Sequence, residues 1–171
     1  MSYFNQFGTI LYDPDGDGSA KLCTDIMSRV RIRASMKKEI VMLDTYAVKE
    51  NETPEIVADK HHGSPYYHWI VMLLNDISDV NHDWVKSTRQ LQKYLTDKYT
   101  EAQLAETHHF EISQTSGDTT VMIEVENTTY PSASIVTNYE YEVALNESKR
   151  EIDLLRNEYL SFFVDEFENS I

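Results

Sequence analysis

Apolar positions change their spacing several times along the chain, and each change predicts an element. Met1 to Tyr12 is aromatic and uncharged and runs into Asp13-Pro14-Asp15-Gly16-Asp17-Gly18, an arm followed by a turn. From Thr24 to Lys38, Ile26, Met27, Val30 and Ala34 can share one helical face behind Thr24 or Asp25 as N-cap. The other face of that helix is basic: Arg29, Arg31, Arg33, Lys37 and Lys38. Ile40 to Lys49 is rich in β-branched and aromatic residues and predicts a strand that ends in Glu50-Asn51-Glu52. Thr53 then caps a helix with Pro54 at its first position, and Gly63 fits its left-handed end. Ser64-Pro65 repeats the cap-then-proline signal, so a second helix carries Trp69, Ile70, Met72, Leu73 and Leu74 up to Asn75.

Asp76 to Asp83 reads as a polar loop, Trp84-Val85 as a short apolar stop, and Thr88 to Tyr99 as a helix. His108 to Ser113 and Thr119 to Val125 alternate in period two about Ser116-Gly117-Asp118, which predicts a β-hairpin. Thr128 to Ser134 contains Pro131 and reads as a linker. At the end of the chain Tyr141, Leu145, Ser148, Ile152, Leu155, Tyr159 and Phe162 are spaced 4, 3, 4, 3, 4, 3, the seam of a helix packed lengthwise on others. Leu154, Phe163, Val164 and Phe167 widen that surface beyond one stripe, so a partner or the rest of the chain must cover it.

The expected organisation is therefore an arm and turn over 1–23, a basic helix over 24–39, and a compact unit over 40–85. A helix and hairpin insertion over 86–136 and one long helix over 137–171 complete an α+β chain. Tyr46, Ile56, Ala58, Trp69, Leu73 and Trp84 are the candidate core. Leu145, Ile152, Leu155, Tyr159 and Phe162, with Arg29, Arg31 and Arg33, are the candidate interaction residues.

Composition narrows the function. Of 171 residues 41% are hydrophobic, enough for one folded core with extensions. With 29 acids against 15 bases the net charge is −14, so nucleic-acid backbones and anionic leaflets would be repelled. The five cations between Arg29 and Lys38 have two readings: they steer an acidic protein partner, or they form a solvated face paired with the acidic C-terminus. Cys23 is the sole cysteine, which excludes an internal disulfide and fits a reducing compartment. No basic leader and no run of about eighteen apolar residues is present, so the expectation is a protein made and used in cytosol, or built there into a particle.

Candidate chemistry is thin. Asp13, Asp15, Asp17 and Gly18 follow the first half of an EF-hand loop, but Pro14 occupies its second position and Thr24 stands where a bidentate glutamate belongs. An acidic turn is the simpler reading. The pairs His61-His62 and His108-His109 lack the spacing of a zinc site, and no nucleophile elbow, phosphate loop or dinucleotide pattern occurs. No catalytic residue, cofactor or metal is expected.

Two resemblances add to this. The stretch Tyr46-Ala47-Val48-Lys49-Glu50-Asn51-Glu52-Thr53-Pro54-Glu55-Ile56-Val57-Ala58 resembles the start of a LysM module, and Asn75 and Ile77 match the Asn-x-Ile after its second helix. The module's closing strand with its Pro-Gly-Gln signature is absent from the sequence. A fuller match is to the LysM-like baseplate wedge protein, gene product fifty-three, of T-even-type contractile phages. Thr24-Asp25-Ile26, Pro54-Glu55 with Ala58, Gly63-x-Pro65, Tyr67-x-Trp69, Leu73-x-Asn75-Asp76 and Trp84 carry it. Tyr141-Glu142-x-Ala144, Asn146-Glu147 and Lys149-Arg150-x-Ile152 extend it to the end of the chain. The resemblance implies a non-enzymatic wedge subunit of the virion tail baseplate that clamps larger wedge chains and helps join wedges around the hub. Its implied partners are other wedge proteins, neighbouring wedges, and hub or sheath-initiator proteins. The rival reading, a LysM-type glycan-binding module, rests on the first resemblance alone, and the missing leader and closing strand count against it.

Overall fold

The computed structural model describes residues 3–27 and 40–169. In chain order they form β1 (Thr9–Tyr12), β2 (Lys21–Thr24), β3 (Leu43–Ala47), α1 (Pro54–His62), α2 (His68–Leu74) and the short α3 (Val80–Asp83). Next come α4 (Thr88–Lys98), α5 (Glu101–Leu104), β4 (Thr107–Ser113), β5 (Met122–Val125), β6 (Ser134–Thr137), α6 (Asn138–Ser148), β7 (Glu151–Leu155) and α7 (Asn157–Glu168). The fold is α+β and divides into two compact units: Met1–Trp84 with Glu151–Ile171, and Val85–Arg150. The second is inserted into the first.

The first unit is built on the helical corner that the sequence marks. Thr53 is extended (φ −100°, ψ 164°) and its hydroxyl accepts from the Ile56 N–H, while Pro54 takes the first helical position, where a missing N–H costs nothing. Gly63 at φ 74° ends α1 in the left-handed region. Ser64 repeats the cap by accepting from the Tyr66 N–H, and a 3-10 turn over Pro65–Tyr67 leads into α2. Asn75 closes α2 with its own side chain. Its amide donates to Val71 O (2.8 Å) and Asp153 O (2.8 Å), and its Oδ1 accepts from the Asp153 N–H (2.9 Å).

That last contact exposes the main departure from expectation. Residues 137–171 do not form one helix: α6 stops at Ser148, β7 follows, and α7 begins at Asn157. β7 pairs antiparallel with β3, from Leu43 opposite Leu155 to Ala47 opposite Glu151. The strand without a visible partner in the sequence is thereby closed from beyond residues 85–150. Ile152-Asp153-Leu154 alternates in period two, buried, exposed, buried, and an unpaired β3 offers it a ladder. The heptad-like spacing ran through this strand by coincidence.

Around the two strands lies one core of Phe7, Trp69, Ile70, Leu74, Leu155, Phe163 and Phe167, with Tyr3, Tyr67, Leu73 and Tyr159 packed at its edge. Trp69 is central: its ring centroid is 4.4 Å from Phe167, 5.5 Å from Tyr3 and 6.1 Å from Phe163. The turn after β3 is held by a buried carboxylate. Glu52 accepts from Lys60 Nζ (2.6 Å), the Lys49 N–H (2.8 Å) and Tyr46 Oη (2.9 Å), and Trp84 Nε1 donates to its carbonyl (2.8 Å). Burial pushes the Glu52 carboxyl up, but the combined donation of Lys60, Lys49 and Tyr46 outweighs it and holds the group below the usual range.

N-terminal to this unit's corner, a 3-10 turn over Tyr3–Gln6 precedes β1, and β1 and β2 pair as a hairpin where an arm and turn were expected. Of the two expected caps of the basic helix, Thr24 ends β2, and Asp25 Oδ1 accepts from the Met27 N–H (3.1 Å). The rest of that helix, with Arg29, Arg31, Arg33, Lys37 and Lys38, lies outside the described residues.

The second unit has a three-stranded antiparallel sheet in the order β5-β4-β6. β4 and β5 form the expected hairpin, while β6 lies where a linker and a helix start were read. Ser134-Ile135-Val136-Thr137 is β-branched enough for a strand, but Pro131 before it and the capping box of Thr137 with Glu140 after it masked the signal. Its apolar interior is small, Val85 and Leu95. Polar groups complete it. Glu142, buried, accepts from Lys98 Nζ (2.6 Å) and Tyr99 Oη (2.9 Å), and Asn146 both accepts from the Lys86 N–H (2.8 Å) and donates to Lys86 O (3.0 Å).

Three outcomes follow. Residues 1–84 alone should be unfolded by circular dichroism, whereas joining residue 84 to 151 through a Gly-Ser linker should restore the first unit. A folded 1–84 fragment would show that β7 is dispensable. Trp69→Ala should cost about 3–5 kcal/mol in denaturant unfolding. Trp69→Phe should cost less, since the buried indole N–H has no hydrogen-bond partner to lose. Glu52 and Glu142 both have carboxyls held down in the folded state, so their contribution is present above the unfolded value of about 4.3 and is lost as pH falls through the folded values. Melting temperature should be flat near neutrality and drop below about pH 4, and Glu52→Gln should flatten that drop; an unaltered acid limb would remove Glu52 from the cause.

Candidate functional site

The acidic turn is self-contained. The Gly18 N–H donates to Asp13 Oδ2 and the Gly16 N–H to Oδ1, both at 2.8 Å, and this donation, Gly18 first, holds the Asp13 carboxyl below its ordinary value. Asp17 is held down likewise, by the Ser19 hydroxyl and N–H. The carboxylates thus organise their own loop. The histidines also serve structure: His61 Nε2 lies 3.0 Å from Leu155 O, His62 Nδ1 lies 2.9 Å from Asn157 Oδ1, and His108 stacks on Tyr141 at 3.8 Å. Among the described residues no group of three or more His, Cys, Asp or Glu is placed to hold a metal ion. Among them, too, no helix is long and apolar enough to cross a membrane.

Of the candidate core residues, Ala58, Trp69 and Trp84 are buried, and Tyr46 and Leu73 are half-buried. Ile56 is 40% exposed, because α1 turns Pro54, Val57 and Ala58 inward and the position before Val57 lies off that face. The candidate interaction residues separate. Leu145 on α6 is exposed, and Phe162 on α7 is 52% exposed. Tyr159 packs at the edge of the core. Ile152 and Leu155 belong to β7 and are buried, so they face the first unit's own interior and not a partner. Arg29, Arg31 and Arg33 lie outside the described residues.

Sequence reading missed two larger apolar surfaces. In β1 and β2 every residue is exposed, and the cross-strand pair Leu11 and Leu22 is 73% and 69% exposed. A two-stranded hairpin with both faces in water is marginal by itself. In the second unit the register places Phe110, Ile112, Ile123, Val125 and Ile135 on one face of the sheet. Ile135 there is 59% exposed. The signal for the hairpin was present as the apolar run Ile10-Leu11-Tyr12 and the run Leu22-Cys23 on either side of a Gly-rich turn. A third feature is an open groove of about 340 Å³ on the first unit, lined by Tyr67, Asn157, Leu160, Ser161, Val164 and Asp165.

The described surface thus offers exposed apolar faces, and monomers seldom expose contiguous apolar faces without a partner for them. Comparison with curated proteins finds no match. The family described as base plate wedge protein 53 matches residues 22–131, more than half of the chain, and the chain accordingly belongs to that family of structural components of the phage tail base plate.

Proposed function

We propose that the chain is a wedge subunit that holds larger wedge chains together and helps join adjacent wedges around the hub, acting through apolar contacts and without catalysis. The observation that carries this reading is the exposed Leu11–Leu22 pair of the β1–β2 hairpin. A second apolar face, on the sheet of the inserted unit, supports it. Two separately folded units, each with an apolar face, suit a protein that joins neighbours. Hub and sheath-initiator chains are further partners on this reading, and assembly takes place in the host cytoplasm.

The order strand, helix, helix, strand in β3, α1, α2 and β7 supports a LysM-like origin for the first unit. Sugar recognition in such modules uses loops around both strands. Residues 85–150 interrupt the chain before the second of those strands, which counts against the glycan-binding reading. Purified chain should show no saturable, competable binding to insoluble peptidoglycan or chitin in a pull-down, and such binding would favour the glycan-binding reading.

The double change Leu11→Asp with Leu22→Asp tests the wedge reading. Each buried leucine contributes roughly 1.5–3 kcal/mol, so losing both should weaken a contact by about two to four orders of magnitude. The side chains are exposed in the chain itself, so its circular dichroism and melting should not change. In a phage lacking the wild-type gene, tails should then fail to complete. Normal tail yield with the doubly charged hairpin would refute the hairpin as an assembly surface.

A further inference from the structure

We infer that the outer face of α7 and the groove beside it receive a cationic segment of another tail chain, one that pairs arginine or lysine with an apolar anchor. The inference rests on the base plate reading and adds the chemistry of one contact. Along α7, Glu158, Asp165, Glu166 and Glu168 supply four acids and no residue supplies a base. Phe162 projects among them, 52% exposed, with Glu158 one turn before it and Asp165 three residues after it, positions that share its face. An aromatic ring flanked by carboxylates suits a guanidinium, which stacks on the ring and is paired by the acids.

The groove adjoins this stripe and shares Asp165 with it. Leu160, Val164 and Tyr67 supply apolar surface for one side chain, and Ser161 and Asp165 a polar margin. Its wall is fixed in advance: Asn157 is held by His62 Nδ1 (2.9 Å) and donates to His61 O (2.7 Å). Charge selects among occupants. A second copy would oppose four acids with four more on a chain of net charge −14, and nucleic acid or an anionic lipid surface would be repelled. A cationic, amphipathic protein segment meets both the apolar floor and the acidic rim.

The test uses the full chain and short overlapping synthetic peptides that span the other base plate chains of the same phage, with binding read by fluorescence polarisation. Peptides that carry arginine or lysine beside leucine or an aromatic residue should bind, and binding should weaken with added salt. Phe162→Ala, and Glu158→Gln with Asp165→Asn, should each weaken it about tenfold with unchanged circular dichroism. No binding peptide, binders that are neutral or acidic, or variants that bind like the wild type would each overturn the proposal. Replacing Arg29, Arg31 and Arg33 by Gln should leave peptide affinity unchanged. A rise in affinity would show that the chain's own basic segment fills the groove, and a salt-sensitive dimer lost in the α7 variants would show that a second copy does. Incorporation into tails separates the two readings: normal incorporation of Phe162→Ala counts against this contact only, whereas absence of the wild-type chain from purified tails would remove the base plate reading itself.

Discussion

The pairing of β3 with β7 is the constraint from which the first unit follows. β3 has an unpaired edge unless residues 151–155 return to it, and the return carries Leu154 and Leu155 into the interior. It also positions α7, whose Phe163 and Phe167 enclose Trp69 from the C-terminal side. Asn75 adds specificity to the pairing. One carboxamide satisfies the last turn of α2 and both backbone groups of Asp153, so the helical corner and the strand are set in register by a single side chain.

Each unit also encloses one carboxylate paired with a lysine, Glu52 with Lys60 and Glu142 with Lys98. Desolvation makes such pairs weak sources of net stability, and their hydrogen bonds decide whether they are tolerated. Here both are well answered, by a tyrosine hydroxyl in each case and by a backbone N–H at Glu52. Their effect is on uniqueness of conformation: a turn or helix packed with the carboxylate misplaced would leave a charge buried without a partner. In the second unit, whose apolar interior is small, that discrimination matters more than in the first.

What could be read from the sequence was the local stereochemistry. Thr53-Pro54, Gly63 and Ser64-Pro65 have short-range causes, and the structure places them as expected, with α4 over the residues read as a helix. The hairpin β4–β5 was equally legible from its alternation. The errors occurred where tertiary pairing decides. Ile152, Leu155 and Tyr159 fit a helical seam, yet the ladder offered by β3 outweighs the weak preference of five residues for either state. β6 was hidden between two strong local signals, and the hairpin at the start of the chain was read as an arm although short apolar runs flank its turn. Ile56 was assigned to the core from its place in a motif, which fixes sequence and not the direction of a side chain. Ile152 and Leu155 were likewise chosen for a helix that does not form, and they lie buried in β7, while Leu145 and Phe162 are exposed.

The two hydrogen bonds between Asn146 and Lys86 bear on how the chain closes on itself. They tie the entry and exit of the inserted unit together, a neck across which the first unit's two halves must later meet. Closing a flexible loop costs entropy that rises by about 0.6 kcal/mol for each doubling of its length. Once the neck is made, the loop between β3 and β7 is effectively short. The insertion thus acts as a clasp that lowers the entropy cost of the pairing it spans.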